Sequence, residues 1–264
     1  MKICFLIFGD KYPHYMSYLI KTLLSPNSRF LIHIDKKSLF KKDYKTSLPK
    51  KNKIEYLIPG FINWGDWTFV KAMLRGMNRA LKKPFDYLMF LTETDILLYN
   101  IKVLVEFLEH NNGKEFIQYF GKMPVHKWHN CQMRDFSPIA GLELYGGSSF
   151  WCLTRNCIQY LVDYTNNNIE KLKEFNSKIG IIPDEMFFHS ILASSPFKDS
   201  FKDTLMLSFN KSNGCFNPKR SVCSITESTN PLEIYQKYPY KFFGRKITNV
   251  PRSFILKMKE LIKK

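Results

Sequence analysis

The sequence predicts an α/β fold, a mixed and mostly parallel sheet flanked by helices. One domain is expected over residues 1–250, followed by a basic amphipathic helix over residues 251–264. Two observations predict this. Short apolar strand-like runs alternate with helical segments through the N-terminal half, the pattern of βαβ units. The chain has 264 residues, of which 45% are hydrophobic, enough to fill one such core.

Ile3–Phe8 is an apolar run of strand length. His14–Leu24 is helical, and Pro26-Asn27-Ser28 stops it. Phe30–Ile34 is a second buried strand, ending on Asp35. Phe69, Ala72, Met73, Gly76, Met77, Ala80 and Leu81 recur at helical spacing, with Arg75, Asn78, Arg79 and Lys82 opposite. Asp86–Leu91 is the next strand and runs into Thr92-Glu93-Thr94-Asp95. Residues 121–147 read as a long irregular loop rich in His, Trp, Met and Lys. Ser149–Leu153 is strand-like, Asn156–Tyr164 helical, and Pro183 opens a further helix with Asp184 and Glu185 in its first turn. In the terminal helix Phe254, Ile255, Met258, Leu261 and Ile262 form an apolar stripe among lysines.

In open α/β sheets, ligands sit beyond the carboxyl ends of the strands. Asp35, Glu93 and Asp95 all fall at such ends, either as ligand contacts or as caps of the turns that follow. The net charge of +17 admits three partners: nucleic acid, an anionic membrane or a phosphorylated substrate. No RNA-recognition or zinc-finger pattern accompanies it, so no nucleic-acid partner is expected. GxGxxG, Walker, GxSxG and HExxH motifs are absent, which sets aside dinucleotide, P-loop, serine-hydrolase and zincin chemistry. The six cysteines (Cys4, Cys131, Cys152, Cys157, Cys215, Cys223) are scattered without metal spacing, and free thiols are expected. No secretion signal or membrane-spanning run is seen. The expected location is the cytoplasm, with the terminal helix docked peripherally on an anionic inner leaflet.

Several blocks remain, in a fixed order: Ile32-His33-Ile34-Asp35, Trp64-Gly65-Asp66-Trp67, Leu91-Thr92-Glu93-Thr94-Asp95, Gly147-Ser148-Ser149-Phe150-Trp151, Pro183-Asp184-Glu185, Arg220-Ser221-Val222-Cys223 and Gly244-Arg245-Lys246. From about Ile3 to Ile247 they resemble the core-2/I-branching N-acetylglucosaminyltransferases and the related peptide xylosyltransferases, glycosyltransferase family 14. The resemblance implies a GT-A-like nucleotide-diphospho-sugar transferase fold and inverting transfer from a UDP-sugar, N-acetylglucosamine by default, to a hydroxyl of a glycan or lipid-linked oligosaccharide.

The resemblance also implies roles for single residues. Glu185 would be the general base. Arg220 and Lys246, with Arg245 as a substitute, would hold the departing diphosphate in place of a metal. Asp35 would contact uracil or ribose, Ile7 would line the base pocket, and Trp64, Asp66 and Asp95 would lie near the donor. The acceptor would meet Lys127, Trp128, Glu143 and Tyr145, with His126 beside them. No metal is expected, but Glu93 departs from the family's usual Ser-Gly-Ser-Asp string. That leaves a magnesium- or manganese-dependent transferase using Glu93 and Asp95 as one alternative. A basic binding module without catalysis is the other.

Overall fold

The structure is a computed structural model that describes residues 1–49, 52–124, 135–180, 182–210 and 222–262. The chain runs β1 (Ile3–Gly9), α1 (Pro13–Leu23), β2 (Ser28–Ile34), α2 (Lys41–Ser47), β3 (Ile54–Tyr56), α3 (Trp67–Leu81), β4 (Tyr87–Thr92), β5 (Ile96–Leu97) and α4 (Ile101–His110). It continues through β6 (Glu115–Lys122), β7 (Tyr145–Thr154), α5 (Arg155–Asn167), α6 (Ile169–Lys178) and a 3₁₀ turn at Pro183–Glu185. Then follow α7 (Phe187–Ala193), β8 (Phe201–Lys202), β9 (Met206–Asn210), β10 (Val222–Ser224), α8 (Pro231–Lys237), β11 (Phe243–Arg245) and α9 (Arg252–Ile262).

The main sheet has the order β3-β2-β1-β4-β7-β6-β8. Its first four strands are parallel, and β7 pairs antiparallel with both β4 and β6. Every residue of β1 is buried, as expected of a central parallel strand with both faces covered. The helical face predicted around Met73 is the one α3 turns inward: Ala72, Met73, Gly76, Met77 and Ala80 are buried. Gly76 is there because a Cβ would come within 2.5 Å of the Leu6 side chain, so the helix lies closer to β1 than any larger residue allows.

From β1 the chain builds outward through β2 to β3, then returns to β4 on the other side of β1. The crevice between the ends of β1 and β4 is therefore the switch point at which open α/β sheets take ligands. A second sheet, β10-β9-β11-β5, packs beyond it.

Three expectations are corrected. The helix expected to open at Pro183 is first a 3₁₀ turn, and regular α-helix begins only at Phe187. The long irregular segment is partly sheet: β6 extends to Lys122 and β7 begins at Tyr145. The apolar stripe of α9 faces its own protein, not a membrane. Phe254, Met258 and Ile262 are buried with Leu207, Phe209 and Ile234, and half-buried Ile255 packs against the same cluster. Among the described residues no helix is long and apolar enough to cross a membrane.

Candidate functional site

The carboxyl edge of the sheet gathers blocks that are far apart in sequence. Asp35 follows β2, and its backbone N–H donates to Gly9 O at 2.9 Å. Its buried carboxylate accepts from Lys37 N at 2.9 Å and Ile62 N at 3.2 Å, with the Lys37 ammonium at 3.7 Å. Asp35 thus caps its own turn and ties the loop after β3 to the rim.

Glu93 crosses the switch point. Its Oε1 accepts from Asp10 N and Lys11 N at 3.0 and 2.9 Å, its Oε2 accepts from Tyr12 N at 3.0 Å, and the buried Tyr44 hydroxyl donates to the same Oε2. Successive N–H groups of this kind make an anion-binding concavity, and here a side chain of the protein fills it. We expect Glu93→Gln, which keeps the size but turns an amide donor toward these donors, to cost about 1–3 kcal/mol in thermal melting, as for other buried polar groups left mispaired.

Asp95 is fully buried. It accepts from Thr92 N at 2.7 Å and from Thr92 Oγ1 at 2.9 Å, and Arg245 Nε lies 3.3 Å away. Burial pushes its carboxyl pKa up, while the Arg245 guanidinium and the Thr92 hydrogen bonds pull it back. The pairing of β5 with β11, and the bond from Ile247 N to Thr94 O at 2.9 Å, bring the Arg245-Lys246 block to this acid. Lys246, the next residue, is exposed.

The half-buried Glu185 stands on the 3₁₀ turn. Ile182 N donates to Gly65 O at 2.9 Å, joining this turn to the tryptophan-glycine block. Ser149 Oγ donates to Asp184 Oδ2, joining it to β7. The next residue on β7, Phe150, carries the Arg245 guanidinium 3.8 Å above its ring. One stretch of β7 therefore holds both the Glu185 turn and the Arg245 side of the site. Below Glu185, His189 is fully buried with its Nε2 3.0 Å from Gln118 O. Gly147 is required where the two meet, since a Cβ would lie 1.8 Å from Gln118 O.

His189 and His33 add a pH dependence. Burial pushes both rings down to about 4; Arg75 adds to this at His33 against Asp35, while Glu185 opposes it at His189. Neutral His33 accepts from Gly60 N at 3.1 Å. Both rings titrate near 6.5 when unfolded, so below that value the unfolded chain binds more protons and stability falls as pH falls toward 4. Asp95 and Glu115, raised by burial, act in the opposite sense. The test is therefore a difference: on going from about pH 7 to about pH 5, His33→Gln should lose about 2 kcal/mol less than the wild type by thermal melting.

The other expected site residues are placed as follows. Ile7 has no exposed surface and belongs to the core, so it does not line an open pocket. Trp64 stands out in solvent at 83% exposure. Asp66 caps α3 through a 2.7 Å bond from Thr68 N. Glu143 pairs with Lys122 at 2.9 Å, and Tyr145 stacks on Tyr119 at the start of β7, on the same strand as Ser149. Arg220, His126, Lys127 and Trp128 lie outside the described residues. A surface concavity of about 280 Å³ lies at the opposite edge of the sheet, lined by Lys2, Ser28, Arg29 and Phe85, remote from these groups.

The two acids that could have formed a metal pair are engaged within the protein. The Glu93 oxygens are occupied by backbone N–H groups and a hydroxyl, and Asp95 is buried against an arginine. Among the described residues no cluster of three or more His, Cys, Asp or Glu could hold a metal. Cys4, Cys152 and Cys157 are free, buried thiols; burial raises all three, Cys4 to about 12.

Fold and rim define an open-sheet α/β protein with a crevice at the β1/β4 switch point. A family model described as Core-2/I-Branching enzyme matches residues 3–229, and the chain belongs to that family. Xylosyltransferase 2 of Canis lupus familiaris is 26% identical over 218 residues, 75% of this chain and 25% of that protein. Xylosyltransferase 1 of Mus musculus is 24% identical over 225 residues, 74% of this chain and 23% of that one. The chain thus spans about a quarter of the length of these relatives. A crystal structure of galactosyltransferase LgtC in complex with donor and acceptor sugar analogs aligns with a TM-score of 0.47 at 9% identity, over 98% of this chain and 95% of that one.

Proposed function

We propose that this chain is an inverting glycosyltransferase that moves one sugar from a UDP-sugar to a hydroxyl of a glycan or lipid-linked oligosaccharide in the cytoplasm. One observation carries the reading: β7 joins the carboxylate turn of Glu185, through Ser149 and Asp184, to the cationic Arg245 side, through Phe150. Glu185 takes the proton of the acceptor hydroxyl, and the oxygen attacks the anomeric carbon from the face opposite the diphosphate. The bond from that carbon to the diphosphate oxygen breaks, and UDP leaves with its electron pair. Lys246 and Arg220 stabilise the charge that grows there. Arg245 acts mainly on Asp95. The chemistry needs no metal, because fixed cations supply the electrostatics.

Supporting this is the family to which the chain belongs. The donor sugar is N-acetylglucosamine by the family's branching members or xylose by the names of the matched relatives. A screen of UDP-sugars, following UDP release with and without EDTA, tests the reading. Release with one of these two donors, undiminished by EDTA, is expected. A chain that neither gains thermal stability with UDP nor releases it from any donor is not a transferase of this kind.

A further inference from the structure

The loop between β2 and α2 is tightly held, yet it pushes a leucine into water. Ser38 is buried; its Oγ donates to Asp10 O at 2.5 Å and accepts from Phe40 N at 3.2 Å. Its N–H donates to Asp35 O at 3.0 Å, and Tyr44 N to Phe40 O at 3.0 Å. Between these anchors Leu39 is 93% exposed and Phe40 40%. Five exposed lysines surround them, Lys36, Lys37, Lys41, Lys42 and Lys45, against one exposed acid of the loop, Asp43, while the buried Asp35 meets Lys37 at 3.7 Å.

The loop after β3 lies alongside. Lys36 N donates to Gly60 O at 3.0 Å, Lys37 Nζ to Ile62 O at 2.5 Å, and the Lys36 ammonium sits 5.0 Å from the Phe61 ring centre. That second loop exposes Ile58 as well.

We propose that this rim, with Leu39 and Phe40 at its tip, seats the protein on an anionic lipid bilayer. Apolar side chains that enter the headgroup region, ringed by ammonium groups that meet lipid phosphates, form the two-part signal that holds a peripheral protein. Charge complementarity selects this occupant. Protein interfaces are depleted in lysine. A nucleic acid takes the lysines but leaves the 93% exposed leucine in water. The seat replaces the α9 stripe, which is buried, and does not depend on the transfer reading.

The test is flotation of the whole chain with vesicles of phosphatidylcholine alone, or of phosphatidylcholine and phosphatidylglycerol in equal parts, with no sugar present. The wild type should float only with the anionic vesicles. The pairs Leu39→Ser/Phe40→Ser and Lys41→Glu/Lys42→Glu should each lower the bound fraction on the order of tenfold. Both should melt like the wild type, since exposed side chains are replaced. The exposed Leu256 on α9 serves as control, and Leu256→Ser should bind as the wild type. Equal flotation with both vesicle types, flotation with neither, or undiminished binding by the paired variants overturns the proposal. Loss in the lysine pair alone marks a general polyanion surface and also overturns it.

Discussion

Glu185→Gln should bind UDP as the wild type does and lose roughly 10²- to 10⁴-fold in transfer, the span that a positioned general base contributes. The amide keeps the size of the side chain and cannot accept the acceptor's proton. The turn that carries it is fixed from outside the substituted group, by Ile182 N on Gly65 O and by Ser149 on Asp184. UDP, which the proposed arrangement holds from the opposite side, should not sense the change. Isothermal titration of UDP beside single-turnover transfer separates the two effects. Turnover within a few fold of the wild type would take Glu185 out of the base role and leave it as a structural member of the turn.

Arg245→Ala should be the most destabilising single change at the rim. Asp95 has no exposed surface, and the guanidinium is the cation beside it at 3.3 Å. Removing one partner of a buried pair leaves a charge without compensation and costs about 3–5 kcal/mol. For a chain of this size the melting temperature should fall by roughly 10 °C. Arg245→Ala/Asp95→Asn should recover part of the loss, because the second change removes the stranded charge. A single variant that melts with the wild type would show that the Asp95–Arg245 pair does not stabilise the fold.

The architecture was legible where its cause is local. The apolar run at Ile3, the stripe around Met73 and the switch to strand at Tyr87 each follow from a periodicity carried by neighbours in sequence. β6 was not read from the sequence, although Glu115–Lys122 contains Phe116, Ile117, Tyr119 and Phe120; its last two residues fell within the segment read as an irregular loop. The second sheet was not readable, because strands as short as Ile96–Leu97 and Phe243–Arg245 owe their form to pairing across the chain.

The same divide runs through the site. The blocks pointed to Asp95 and Arg245 separately, yet only the β5–β11 pairing makes them partners. Glu93 looked like half of a metal site because its spacing from Asp95 suits one. Its actual partners, the Asp10–Tyr12 amides and Tyr44, lie tens of residues away, and no periodicity links them. His189 gave no signal at all, since its role is set by burial beneath Glu185.

Because Glu93 already occupies the hollow formed by residues 10–12, this part of the rim, where the proposed donor would enter, is ordered without any ligand. Donor capture should then resemble a key entering a finished lock. Stopped-flow traces would show one exponential whose rate rises linearly with nucleotide concentration, with no plateau from a loop that must first rearrange.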